Sequence, residues 1–184
     1  MQQQLIINIL GPSSLSALST ISASINQLNC NILDSRHAQY GTDFSLTMIV
    51  SGTGANVTLL EVALSKLCVE LNLLCMMKRT SKHQKQNIGQ YISLEFSGLD
   101  ATGLLQKITQ TIHESGISVH AFRQQTSEND NSTSINCKMI LSSPKEIDLL
   151  EFDHTIKELL NGLGLHGKIA HKPNDAQTQY VDIW

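Results

Sequence analysis

The chain has 184 residues, 41% hydrophobic and 16% charged, a balance that supplies a packed core and excludes a disordered composition. A formal charge of −3, with only three arginines (Arg36, Arg79, Arg123), leaves no phosphate-neutralising surface of the kind that dominates nucleic-acid affinity. An aromatic content of 4% leaves few platforms for stacking single-stranded bases, so no direct nucleic-acid partner is expected.

The start, Met1-Gln2-Gln3-Gln4, carries no basic leader, and no apolar run approaches the roughly 20 residues that span a bilayer. A cytoplasmic chain without membrane attachment is the expectation. In chain order the patterning predicts a strand at Leu5 to Leu10, a helix at Ser14 to Leu28, strands at Asn31 to Tyr40 and Asp43 to Ser51, a helix at Asn56 to Asn72, and a strand at Leu74 to Thr80. A polar, modestly basic stretch at 82–89 reads as a linker. The series then repeats: strand Tyr91 to Ser97, helix Thr102 to Ser115, strands Ser118 to Gln125 and Ser132 to Ser142, helix Pro144 to Gly162, strand Leu165 to His171. Ser143-Pro144-Lys145-Glu146 predicts a capping box at the start of the last helix.

The halves resemble each other residue by residue. An offset of 87 aligns Gly11 with Gly98, Leu18 with Leu105, Ile21 with Ile108, Ile25 with Ile112 and Arg36 with Arg123. The same offset sets Ser13 on Asp100, both good helix N-caps, and Asn29 on Gly116, the two residue types best suited to a left-handed helix end. After a polar insert at Ser127 to Asn131 the offset widens to 91. Phe44, Leu46, Met48 and Val50 then meet Ile135, Cys137, Met139 and Leu141 at the period of a strand with one buried face. At an offset of 92, Leu60, Leu64, Leu67, Cys68 and Leu71 meet Phe152, Ile156, Leu159, Leu160 and Leu163 at helical spacing. The expected fold is α+β: two tandem ferredoxin-like βαββαβ domains at 1–81 and 90–172, with antiparallel four-stranded sheets, and a polar tail at 173–184.

Catalytic chemistry has no foothold in this pattern. There is no Gly-x-Ser-x-Gly elbow, P-loop or His-Glu-x-x-His helix, and the seven histidines show no ligand-like spacing. Gly162-Leu163-Gly164-Leu165-His166-Gly167 follows a helix and precedes a strand, the reverse of a dinucleotide loop. The charges Asp148 with Glu151 and Asp153 with Lys157 are expected on the solvated face of the last helix. Cys30, Cys68, Cys75 and Cys137 fall inside apolar patterns and read as reduced core residues. No enzyme, metal or cofactor is expected.

What remains is the strand-to-helix turn of each half, where the unpaired N–H groups of a helix end can seat a carboxylate. In the second half, Gly98 and Gly103 allow close backbone approach, Thr102 and Leu104 flank them, and Asp100 either caps the helix or meets a ligand ammonium. In the first half, Gly11 and Ser13 stand at the equivalent turn, with Ser16 where the other has glycine. The plain alternative is a capped helix after a tight turn.

Asp100-Ala101-Thr102-Gly103-Leu104 resembles the ligand turn of the ACT domains, small regulatory modules that bind amino acids. Cys30-Asn31-Ile32-Leu33-Asp34-Ser35-Arg36, with Gly41, Phe44, Met48, Ser51-Gly52 and Met77-Lys78-Arg79-Thr80, resembles the glycine cleavage system transcriptional repressor family over essentially the whole chain. That resemblance implies a glycine-responsive regulator that restrains the LysR-type activator of the glycine cleavage operon by binding it. The alternative is a regulatory subunit modulating an enzyme of amino-acid metabolism. It also implies Asn31 as a polar contact near the first turn, unless it only opens its strand, and pairing of halves or of two chains side by side through sheet edges. Arg36 and Arg123 fit either edge protection or a contact between domains. Tyr180-Val181-Asp182-Ile183-Trp184 is an apolar patch that folds back, docks on a partner or stays disordered.

Overall fold

Residues alternating at period two can bury only one face of a sheet, and helices with an apolar stripe cover that face. The computed structural model of the chain describes residues 2–80, 90–129, 132–144 and 147–173. The expected linker at 82–89 and the terminal Tyr180 to Trp184 lie outside the described residues. The chain divides into two compact units, Met1–Gln84 and Lys85–Trp184.

The first unit runs β1 (Gln2–Pro12), α1 (Ala17–Gln27), β2 (Asn31–Tyr40), β3 (Asp43–Thr53), α2 (Gly54–Glu70), β4 (Leu74–Thr80). The second runs β5 (Gln90–Leu99), α3 (Leu104–Glu114), β6 (Ser118–Asn129), β7 (Ser132–Ser143), α4 (Leu149–Gly162), β8 (His166–Pro173). The sheets are ordered β2-β3-β1-β4 and β6-β7-β5-β8, antiparallel throughout, the tandem ferredoxin-like arrangement that the patterning predicts.

The cores sit where the periodicities place them. Leu5, Ile7, Ile9, Phe44, Leu46, Met48 and Val50 pack beneath Ile21 and Ile25 of α1 and Leu60, Leu64 and Cys68 of α2. Ile92, Leu94, Phe96, Cys137, Met139 and Leu141 do the same beneath Ile108, Ile112, Phe152, Ile156 and Leu160. Each such aliphatic side chain contributes about 1.5–3 kcal/mol on leaving water. Cys30, Cys68 and Cys137 are buried, Cys75 is half-buried, and all four are unpaired. Burial, with the neighbouring Cys75, pushes the Cys68 thiol up to about 12, and burial alone lifts Cys137 to about 11.

Backbone details repeat as well. β2 and β6 are outer strands, and each carries a bulge at the equivalent residue, Leu33 and His120. Asn29 (φ 51°) and Gly116 (φ 70°) end the first helix of each unit, and Asn72 (φ 56°) and Gly164 (φ 69°) end the second. In all four cases the following N–H reaches back across the last turn, as Cys30 does to Ile25 and Leu165 to Leu160. Gly11 and Gly98 have a packing reason: a Cβ there meets Leu73 Cδ2 or Leu165 Cδ2 at 2.8 Å, and the carbonyl oxygen of Asn72 or Gly164 at 3.2 or 3.1 Å. The strand is glycine because the turn leaving the second helix crosses directly over it.

Each unit ties its second helix to its outer strand with a side-chain contact between an acid and a base that sequence patterning does not mark. Arg79 on β4 grips Glu61 on α2 through Nε to Oε1 at 2.9 Å and Nη2 to Oε2 at 2.7 Å, and also donates to Thr58 Oγ1 and Gln3 Oε1. The residues 92 positions on are Asp153 and His171, with Nε2 3.0 and 3.1 Å from the two carboxylate oxygens. Asp153 therefore partners His171 across the fold, not Lys157 along the helix. The Arg79 hydrogen bonds hold the Glu61 carboxyl below its usual range.

Three start positions differ from expectation. The last helix begins at Leu149, capped by Asp148, whose Oδ1 accepts from the N–H of Leu150 and Glu151. Ser143 is no cap, because β7 continues in register to it opposite Gln90; Lys145 and Glu146 lie outside the described residues. Ser13 and Asp100 are not caps either: their helices start at Ala17 and Leu104, behind Ser16 and Gly103.

Gly11→Ala and Gly98→Ala are each expected to lower stability by about 1–3 kcal/mol through overpacking. Chemical denaturation checks this, and parent-like midpoints for both would contradict the crossing. Glu61→Gln is expected to lower the thermal midpoint at neutral pH. A carboxylate whose folded pKa is depressed stabilises above its unfolded value and stops doing so as pH falls through the folded one. The gap between parent and variant should therefore close in acid, and melts that differ equally at neutral and acid pH would refute the pairing.

Candidate functional site

Strand and helix meet in each unit at a corner whose shape the hairpin opposite fixes. In the first corner, β1 ends at Pro12 paired with Asp43, and the Ser13 N–H donates to the Thr42 carbonyl at 2.8 Å. Ser13 Oγ donates to Gln39 Oε1 at 3.2 Å, and Gln39 Nε2 donates to the Gly41 carbonyl at 2.9 Å. Gln39 is thus a corner residue that no sequence signal marked. In the second corner, the Asp100 N–H donates to the Thr133 carbonyl at 2.8 Å, the same bond one repeat later. The Leu104 N–H meets the Ala101 carbonyl at 3.3 Å, and the Gly103 carbonyl accepts from the Lys107 N–H to open α3.

Gly98, Asp100, Thr102, Gly103 and Leu104 come together in this second corner. Leu104 is buried in the core, Gly98 is half-buried under the crossing turn, and Asp100 and Thr102 are exposed. Gly11 and Ser13 occupy the first corner. Asn31 is apart from the first corner: it opens β2 opposite Ser51, which pairs with Gln4, and the eight residues from there to Pro12 span about 26 Å of strand. It opens a strand at the far end of the sheet.

The four helix starts divide into two kinds. α2 is capped by Thr53, whose hydroxyl accepts from Asn56, and α4 by Asp148. No side chain caps α1 or α3, the two helices that leave the corners. The first N–H of each turns back to a corner carbonyl, Ala17 to Ser14 and Leu104 to Ala101, both at 3.3 Å, and the positive end of the helix dipole lies at the corner. The corners differ in one residue: Ser16 has right-handed φ (−98°), while Gly103 sits at φ 85° with no heavy atom within 4 Å of where a Cβ would stand. The second corner carries an exposed carboxylate, Asp100, on the strand-to-helix turn itself, where the first has Ser13; the acid of the first corner, Asp43, stands on the neighbouring hairpin. A separate cleft of about 340 Å³, lined by Glu114, Ile147, Asp148, Glu151 and Phe152 among others, lies at the other end of α3. Among the described residues no cluster of three or more His, Cys, Asp or Glu is placed to hold a metal.

Two βαββαβ units, each opening an exposed corner before an uncapped helix, define a tandem ferredoxin-like architecture. Residues 3–78 match the family model of the ACT domain. Over 170 residues the chain is 28% identical to the glycine cleavage system transcriptional repressor of Escherichia coli (strain K12), covering 91% of this chain and 90% of the relative; the Shigella flexneri protein of that name gives the same figures. A crystal structure provisionally described as a glycine cleavage system transcriptional repressor superposes with a TM-score of 0.74 at 28% identity, covering 95% of this chain and 99% of the other. A protein of unknown function from Galdieria sulphuraria shares the fold at a TM-score of 0.78 and 18% identity, covering 94% and 99%.

Gly103→Ala is expected to cost about 1–2 kcal/mol by forcing a side chain into the left-handed region. Ser16→Ala, at ordinary φ and without a capping bond, should be close to neutral. Thermal melts of both variants check the contrast, and equal losses would contradict it.

Proposed function

We propose that the chain is a glycine-responsive transcriptional regulator that works in the cytoplasm by protein contact, with the second corner as its amino-acid site. The observation that carries the reading is the uncapped amino end of α3 behind Gly103, with Asp100 beside it. A helix amino end draws a carboxylate, and an exposed aspartate draws an ammonium; together they complement the two ends of an α-amino acid. Thr102 adds a hydroxyl, Gly103 keeps the approach clear, and Gly98 and Leu104 fix the corner from behind. Glycine fits a shallow corner because it needs no side-chain pocket. The relatives' name points to the same metabolite. The first corner, with Ser13 on its turn in place of Asp100, is the weaker seat.

The partner in this reading is the LysR-type activator of the glycine cleavage operon, bound directly. A chain of net charge −3 is suited to a protein partner rather than to phosphate backbone. No helix among the described residues is long and apolar enough to cross a membrane. For glycine to control that contact, it must bind one arrangement of the regulator better than another.

Titration calorimetry on the full chain tests the site. Glycine should bind saturably, Asp100→Ala should weaken it at least about tenfold (1.4 kcal/mol), and Ser13→Ala should leave it unchanged. No heat with glycine or any other amino acid contradicts direct sensing. Capture of a metabolic enzyme in place of a LysR-type activator supports the regulatory-subunit alternative, and tight, salt-sensitive promoter binding by the chain alone contradicts action through protein contact.

A further inference from the structure

The two units share a fold, so each serves as a control for the other's surface. They differ on the sheet face turned away from the helices. In the second sheet one row of cross-strand neighbours runs Lys168 on β8, Glu95 on β5, Lys138 on β7 and Arg123 on β6. Glu95 and Lys138 alternate with the core residues Leu94, Phe96, Cys137 and Met139, which sets the row on the outer face. The same register positions in the first sheet are Met76, Asn8, Thr47 and Arg36. Arg36 there lies 3.7 Å from Asp34, and the other cation of that face, Lys78, stands on the opposite edge strand. In the second sheet Ala121 replaces Asp34, and Arg123 stands directly opposite Lys138. Lys138 lies 3.2 Å from Glu95, while among the described residues Arg123 and Lys168 have no acid partner. Two net positive charges are thereby held in a row about 14 Å wide. Like charges directly opposite across a ladder destabilise it, and the first sheet shows that the fold does not need them.

We infer that this row is a docking surface for an acidic segment of a partner protein. The inference concerns a surface other than the amino-acid corner, and rests on the function proposed above only in taking the partner to be a protein. The argument is charge complementarity. The chain as a whole carries −3, and the exposed acids Glu114, Glu151 and Glu158 of the second unit stand on α3 and α4, across the sheet from the row. The row is a local reversal of the chain's sign, and Lys168, Glu95 and Arg123 in it are exposed. A carboxylate between Arg123 and Lys138 turns their repulsion into two attractions, and the Arg123 guanidinium can take both of its oxygens. A second acid falls to Lys168, beyond Glu95. The next row, His166, Ser97, Asn136 and Gln125, offers donors and acceptors to the backbone of such a segment. A nucleic acid suits the surface less well. Glu95 interrupts the cations that an unbroken run of phosphates would meet, and neither row holds a Phe, Tyr or Trp on which a base could stack.

Fluorescence anisotropy of a labelled decaglutamate peptide, titrated with the full chain at about 0.02 M salt where screening is weak, tests this without glycine. The peptide should bind saturably and be released as salt rises. Lys168→Met with Arg123→Gln should weaken binding at least about fivefold. Glu95→Asn, the residue of the first sheet at that position, should tighten it, which no merely structural role for the row explains. Lys157→Gln on α4 should leave it unaltered. Melting midpoints show that these surface variants are folded, and Arg123→Gln should melt no lower than the parent because it removes a like charge beside Lys138. Glycine calorimetry on the double variant should match the parent, so a failure of this surface and a failure of the amino-acid corner are told apart. No binding of decaglutamate overturns the inference, as does an affinity unchanged in the double variant. Tighter binding of a single-stranded oligonucleotide of ten nucleotides overturns it too, in favour of a phosphate surface.

Discussion

A four-stranded antiparallel sheet with one apolar face has to be roofed, and two helices of matching stripe are the roof in each unit. Everything else follows from how the chain gets from sheet to roof and back. The return from the second helix passes so close over the first strand that only glycine fits beneath it, at Gly11 and again at Gly98. That crossing brings the turn ahead of β4 or β8 down onto the sheet. The Arg79–Glu61 and His171–Asp153 pairs then tie the outer strand to the helix above it.

Duplication separates what the fold requires from what it does not. The crossing glycines, the bulges at Leu33 and His120, the left-handed helix ends and the acid–base contacts from helix to outer strand are present twice, so they belong to the architecture. The features present once are those available for function: Asp100 and the left-handed Gly103 at the corner of the second unit, and the row of Lys168, Glu95, Lys138 and Arg123 on its sheet.

Much of the fold was legible because burial follows period: the two alternating sets beginning at Phe44 and Ile135, and the helical stripes beginning at Leu60 and Phe152, are all core. Asn29 and Gly116 were readable because few residue types tolerate positive φ. Helix starts were less so, since a serine followed by proline satisfies a capping pattern and also ends a strand; at Ser143 the ladder to Gln90 won. Ser13 and Asp100 failed as caps because their N–H groups extend the ladder to the neighbouring hairpin, a contact between residues about 30 apart, and the helices start only at Ala17 and Leu104. Asn31 was placed near the wrong end of the sheet because a helix carries the chain back to the start of the next strand. The Arg79–Glu61 pair spans 18 residues and leaves no local signal, yet the 92-residue offset onto Asp153 and His171 keeps acid opposite base and was visible in principle.

The central claim is that a metabolite with a carboxylate and an ammonium lodges at one uncapped helix end and not at its counterpart. Amide chemical shifts of the full chain during a glycine titration address it most directly. The account predicts progressive, saturable shifts at Asp100, Gly103, Leu105 and Gln106, with Ser13 to Leu18 unmoved. Shifts confined to the first corner, or none at any glycine concentration, would contradict it.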